Sequence, residues 1–328
     1  MKIVVFQLRD DEKEVIETVK KEHPELEIIL TEQDPSFKQD ELLNGAEGVS
    51  ILGMKKIGKE ILEYWKKQGI RFLSTRTIGF DHIDIDYAKK INIRVCNASY
   101  APNGIADFTI MLMLMCLRNY KQALWRGQVN DFSLYGLQGK EMRSLCVGVI
   151  GSGKIGEAVI QNLSGFGCDI LVYDPHKKET LKQYAKYVSL DTLYKKSDII
   201  SLHVPLTKES EYMINDESIG KMKDGVILIN CARGGLAYLD ALIRGIESEK
   251  IGALGLDTVD GEEGITHVDH RVDILSNQKM AYLRQFRNVV MTQHMAFYTK
   301  EAVDSMVRCG IFGILDMNEN KKGHNEII

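Results

Sequence analysis

The stretch LCVGVIGSGKIG (145–156) narrows the possible folds more than any other part of the chain. A continuous Val/Ile run suits a strand buried on both faces, and this one runs straight into glycines rather than a polar turn. Gly151, Gly153 and Gly156 form G-x-G-x-x-G directly after that strand. One glycine permits a tight turn, one lets the backbone approach a pyrophosphate, and one lets the next helix pack close to the strand. A helix opening near Lys154 and Ile155 would point N–H groups and a positive dipole end at the phosphates. The next apolar run, DILVYD (169–174), ends in Asp174, 18 residues past Gly156. An acid there accepts bonds from adenosine ribose hydroxyls and repels a 2′-phosphate, which favours NAD over NADP, although Lys177 and Lys178 nearby soften the preference.

The rest of the chain repeats the same alternation. KIVVF (2–6), LEIIL (26–30), GVSIL (48–52) and RFLST (71–75) read as strands, and EKEVIETVKKEH (12–23) as a helix. After the glycine turn, DIISLHV (198–204), GVILINC (225–231), IGALGLD (251–257) and NVVMTQH (288–294) follow as strands. β-Branched runs separated by helical patterns predict parallel sheets covered on both faces. Pro102 and Asn103 open an apolar segment through residue 127 that reads as one long helix crossing between domains, its Met/Leu run at 111–117 being core or subunit interface. FTIMLMLMCL (108–117) is about half the length that spans a bilayer. MKIVVFQLRD is too short an apolar run for a signal peptide. Six scattered cysteines without a CxxC pair suggest reduced thiols in the cytoplasm, and a net charge of −4 gives no basic footprint for nucleic acid.

Three strand ends carry polar groups. NCARGG (230–235) leaves Arg233 after one strand, LDTVDGEEG (256–264) places Asp257, Asp260, Glu262 and Glu263 after the next, and TQHMAFYT (292–299) puts His294 after the last. In an open parallel sheet, ligands bind outside these carboxyl ends. Reducing a 2-oxo acid needs a cation for the carboxylate, a proton donor for the carbonyl oxygen and a hydride. Arginine offers permanent bidentate charge, and histidine titrates near neutrality. One neighbouring carboxylate would orient the imidazole and raise its pKa. THVDH (266–270) has metal-pair spacing at His267 and His270, but the stretch between Gly264 and Arg287 reads as a solvated insert and no metal is expected. His203 is read as packing on the adenine side.

With TRTIGFDHID (75–84), NASYAPNGIADF (97–108), VGVIGSGKIG (147–156), SLHVPLTKES (201–210), MKDGVILINCARGG (222–235), GALGLDTVDGEEG (252–264) and VVMTQHMAFYT (289–299), the chain resembles the D-isomer-specific 2-hydroxyacid dehydrogenases over nearly its whole length. The likeness is greatest to the D-lactate, D-2-hydroxyisocaproate and D-phenyllactate branch. It implies an α/β chain of two doubly wound parallel-sheet domains: a flavodoxin-like substrate domain (1–99 plus 299–328) and a Rossmann NAD-binding domain (100–298). It implies an Arg, a Glu and a His in the roles reasoned above. Arg233 and His294 map directly, and counting five positions from Asp257 selects Glu262, leaving Asp260 and Glu263 solvated. The resemblance assigns Gly151, Gly153, Lys154, Ile155, Gly156, Asp174, Val204, Pro205, Ser210, Cys231, Ala232, Arg233 and Asp257 to NAD. It assigns Ile78, Gly79 and Tyr100, with Arg233, to the substrate, and a homodimer to the assembly. TQH at Gln293 and AYLD (237–240) depart from the family pattern without touching the triad. A C-terminal regulatory domain of the kind found in many phosphoglycerate dehydrogenases is not expected.

Leu52 and Leu134 fall where pyruvate-preferring relatives carry a bulky aromatic side chain. That predicts an enzyme accepting branched or aromatic 2-oxo acids as well as pyruvate, because an altered apolar contact shifts preference without excluding substrates. The alternatives are a reductase of glyoxylate or hydroxypyruvate, a phosphite-oxidising relative, and a non-enzymatic NAD-sensing module.

Overall fold

The computed structural model describes residues 1–321, 323 and 325–328. The chain divides into two compact units, Met1–Ala101 with Tyr298–Ile328, and Pro102–Phe297.

The first unit holds five parallel strands: β1 (Lys2–Val5), β2 (Glu27–Leu30), β3 (Gly48–Ile51), β4 (Phe72–Thr75) and β5 (Arg94–Cys96). Their order, β2-β1-β3-β4-β5, is the flavodoxin-like doubly wound arrangement. Alternate residues of β1 serve opposite faces, as a two-residue repeat requires. Val4 packs with Val49, Ile51, Leu62 and Trp65, whereas Ile3 and Val5 pack with Val307, Ile311 and Ile314 of the helix Lys300–Asn318. Both faces are therefore covered, which explains why β1 is continuously apolar.

The second unit holds seven parallel strands: β6 (Cys146–Ile150), β7 (Asp169–Tyr173), β8 (Lys186–Tyr187), β9 (Ile199–Leu202), β10 (Val226–Asn230), β11 (Ile251–Leu256) and β12 (Val289–Met291). The order β12-β11-β10-β9-β6-β7-β8 reverses direction between β6 and β9, the switch point at which a Rossmann sheet opens its ligand crevice. The glycine turn and the Val204–Pro205 segment follow those two strands.

The structure corrects the reading of residues 102–127 as a single long helix. Asn103–Leu117 and Tyr120–Gln128 are separate helices. Asn119 breaks them by adopting φ +49, a left-handed conformation that asparagine tolerates, and the Lys140 N–H takes the Leu117 carbonyl. The helix Asn103–Leu117 packs against β10, β11 and the helix Lys154–Ser164. Among the described residues, no helix is long and apolar enough to cross a membrane. Strands β5 and β8 escaped the sequence reading because they are sheet edges of three and two residues, too short to leave an alternation.

Candidate active site

The glycine turn assigns each glycine a different task. Gly151 sits at φ +97, and a Cβ there would lie 2.4 Å from the His203 carbonyl oxygen. At Gly156 a Cβ would lie 2.0 Å from the Gly151 oxygen, so helix and turn meet there only without a side chain. At Gly153, the residue before the helix Lys154–Ser164, an added Cβ would meet nothing of the chain within 4 Å. Two glycines thus answer to the protein's own packing. The third leaves open room beside the helix N-terminus, where the Lys154 and Ile155 amides begin the first turn and a pyrophosphate is favoured.

Asp174 ends the neighbouring strand beside this turn. Its carboxylate accepts from the Ser152 N–H at 2.6 Å and the His176 N–H at 2.7 Å. Burial pushes its pKa up, but those two backbone donors outweigh it and the net direction is down. The glycine turn is therefore flanked by a carboxylate held in its anionic form. Lys178, which could have offset that charge, is paired with Glu157 at 2.6 Å. Past β9, Ser210 is a turn-closing residue: its hydroxyl donates to the Pro205 carbonyl at 2.7 Å and accepts from the Thr207 N–H. His203 bonds Ser201 at 2.8 Å, and burial drives its pKa down to about 4, so its ring is neutral at the switch point.

Arg233 emerges just past β10 on a loop tied back to its own strand. The Asn230 side chain donates to the Arg233 carbonyl at 2.8 Å and accepts from the Ala232 N–H at 3.0 Å. A Cβ at Gly234 would lie 2.3 Å from the Val259 backbone, so this loop packs directly on the next one. Cys231 beside it is buried, and burial pushes its thiol up to about 12, which leaves it protonated and unreactive.

The four acids of LDTVDGEEG are now distinguishable. Glu262 uses both oxygens: Oε2 accepts from the Val259 N–H at 2.9 Å, and Oε1 lies 2.8 Å from His294 Nδ1. With a carboxylate on Nδ1, that nitrogen carries the proton and Nε2 is left as the atom that exchanges one. Burial opposes a charge on His294, but the hydrogen bond and charge of Glu262, helped by Asp257, win against it and against the Arg233 cation. The imidazole pKa is raised. Asp257, expected at the cofactor, is 1% exposed, and its carboxylate is committed to the turn that carries His294. Oδ1 accepts from Thr292 Oγ1 at 2.6 Å and the Met295 N–H at 2.9 Å, and Oδ2 from the Ala296 N–H at 2.8 Å. His294 has φ +55, so these bonds hold a turn that a non-glycine residue adopts at a cost. Asp260, expected to be solvated, is half-buried and accepts from the Tyr212 hydroxyl at 3.0 Å. Glu263 is exposed.

Arg233, Asp257, Glu262 and His294 all belong to Pro102–Phe297, as do the candidate cofactor residues. Leu134 belongs there too, but it is 84% exposed, in the segment after the helix Tyr120–Gln128. Ile78, Gly79, Tyr100 and Leu52 belong to the other unit. There Asn97 Nδ2 donates to the Ile78 carbonyl and Thr77 Oγ1 to the Gly79 carbonyl, each at 2.7 Å, which orients the peptides of that loop. His267 and His270 do not act as a pair. His270 bonds Asp273 and the Gly264 carbonyl, and His267 lies 3.0 Å from the His294 carbonyl.

Residues 110–296 match the family described as D-isomer specific 2-hydroxyacid dehydrogenase, NAD binding domain. The chain is 42% identical to an aromatic 2-oxoacid reductase of Clostridium sporogenes over 96% of its own length and 95% of the relative's. It is 36% identical to a D-specific alpha-keto acid dehydrogenase of Enterococcus faecalis, over 92% of each chain. Its fold superposes on the crystal structure of a D-lactate dehydrogenase from Treponema pallidum with a TM-score of 0.89 at 32% identity, covering both chains fully.

Proposed function

Because the chain belongs to the D-isomer-specific 2-hydroxyacid dehydrogenases, NAD-dependent enzymes that reduce 2-oxo acids to D-2-hydroxy acids, we propose that His294, Glu262 and Arg233 carry this reaction in it. NADH, when bound, supplies the hydride. The Gly151–Gly156 turn and Asp174 would hold its pyrophosphate and adenosine ribose, with Val204, Pro205, Ser210 and residues 231–233 further along the crevice. Arg233 binds the substrate carboxylate. His294 donates its Nε2 proton to the reduced carbonyl oxygen and takes it back in the oxidation direction. Glu262 stabilises the imidazolium and fixes the tautomer. The observation that supports this most is the 2.8 Å Glu262–His294 bond, backed by the Val259 N–H on the second carboxylate oxygen.

For the substrate, the likeness to an aromatic 2-oxoacid reductase and the aliphatic Leu52 support an apolar side chain larger than the methyl of pyruvate. Ile78, Gly79 and Tyr100 are assigned to the substrate as well. NADH oxidation with pyruvate, 4-methyl-2-oxopentanoate and phenylpyruvate is the test, with the two larger acids expected at or above pyruvate in kcat/KM. A kcat/KM for pyruvate well above both would overturn the substrate reading, and absence of turnover with all three would overturn the catalytic one. The cytoplasm fits thiols that form no disulfide among the described residues. A homodimer is supported by Trp125, Phe132 and Tyr135, large apolar groups exposed on consecutive segments. Analytical ultracentrifugation decides it.

A further inference from the structure

His267 is the group that the catalytic reading leaves unused and the geometry does not. It lies in the segment after Glu262, and its Nε2 is 3.0 Å from the carbonyl oxygen of His294. Its ring lies 6.1 Å from the His294 ring, and a third ring, Phe297, lies 6.1 Å from His267 and 6.4 Å from His294. Both histidines have left-handed backbones, φ +64 at His267 and φ +55 at His294. Such backbones persist where the surroundings over-determine them. At His294 that over-determination is nearly complete. Glu262 holds the ring, and Asp257 holds the Met295 and Ala296 N–H groups. The His294 carbonyl, another polar group of the turn, faces His267.

We propose that His267 is a positioning residue for 2-oxo acid reduction: its Nε2–H holds the His294 carbonyl and so fixes the backbone from which the imidazole meets Glu262. A carbonyl oxygen can only accept, so the His267 Nε2 in this contact is the donor. The proposal rests on His294 as the acid/base group. The charged groups facing His294 are Glu262, Asp257 and Arg233, with His267 itself a potential cation beside the ring. A change at His267 therefore alters a charge as well as a bond, and the test must separate them.

His267→Phe keeps a ring and loses the donor. His267→Gln loses the ring but restores an N–H donor of similar reach. Neither carries the charge. Steady-state kinetics with NADH and the best of the three 2-oxo acids, together with NMR titration of the His294 imidazole (assigned by its loss in His294→Asn), distinguish them. In His267→Phe, kcat is expected to fall about threefold to tenfold, the size of one partly exposed hydrogen bond. The KM for NADH should stay unchanged, and His294 should titrate at lower pH than in His267→Gln because its bond to Glu262 has loosened. His267→Gln should recover most of kcat. Wild-type kcat in His267→Phe with His294 titrating alike in both variants overturns the proposal, and so does a Gln variant as slow as the Phe variant. If His294→Asn itself keeps full turnover, the catalytic reading fails instead, and the two titrations still decide whether His267 clamps the turn.

Discussion

Glu12 with Arg76 in one unit and Glu262 with His294 in the other are both carboxylate–cation pairs beside the carboxyl end of a parallel strand. Glu12 and Arg76 are sealed, their side chains 0% and 1% exposed, with Nε of Arg76 2.7 Å from Oε1 of Glu12 and Nη2 on the Phe6 carbonyl at 2.9 Å. Glu262 and His294 keep 14% and 32% exposure. A guanidinium is a permanent charge, whereas an imidazole can exchange a proton near neutrality. A sealed, permanent charge makes a structural tie. A partly open one, held by a base of modest strength, makes a proton store. The second pair also makes stability depend on pH. The His294 pKa is raised in the folded chain, so the stability its pair contributes is complete below the unfolded imidazole's pKa. That contribution is lost as pH climbs through the higher folded value.

The largest effect that would break this contrast lies at Arg76. Arg76→Met strands a buried carboxylate and should cost about 3–5 kcal/mol in thermal or denaturant unfolding, while Glu12→Leu with Arg76→Met should restore most of it. If the single variant keeps its stability and instead raises the KM for the 2-oxo acid, the sealed pair serves the Thr77–Gly79 loop and the contrast collapses. Next comes Glu262→Gln. Its kcat for reduction should drop about a hundredfold at pH 8 and by less near pH 6, because the amide no longer favours imidazolium and the His294 limb moves to lower pH. A pH–rate profile that drops uniformly without moving would show Glu262 to be a scaffold only. Asp174→Ser should narrow the NADH-over-NADPH ratio of kcat/KM by about tenfold, since it removes the anion where the 2′-phosphate would sit. An unchanged ratio would move that discrimination to another residue. Smallest is Glu263→Gln, expected to change kcat by less than about twofold, as an exposed acid should. A loss there comparable to Glu262→Gln would mean that the assigned register is off by one.

Much of this was readable in the chain by itself. A buried parallel strand must be apolar on both faces, a pyrophosphate turn must be glycine, and a helix must follow; those local demands wrote VGVIGSGKIG and the runs around it. The residues alone left four similar acids open; the family resemblance, counted five positions from Asp257, pointed to Glu262, and that is the carboxylate found against His294. What stayed hidden depends on separations that no local pattern records. Glu12 meets Arg76 across 64 residues. Asp257 turns its charge inward to hold residues 292–296 rather than outward. His267 and His270 stand at metal-pair spacing in what reads as a solvated insert, and spacing gave no sign that one would bond the His294 carbonyl and the other the Gly264 carbonyl. Asn119 reads as one polar residue in a helical stretch until its left-handed backbone is seen to end the helix. Sequence alone determined the longer strands and the chemistry available at their ends, because both follow from local burial and residue type. Tertiary structure alone decided that Glu12 faces Arg76, that Asp257 holds the His294 turn and that His267 meets the His294 carbonyl, because a hydrogen bond is made over about 3 Å in space and takes no account of distance along the chain.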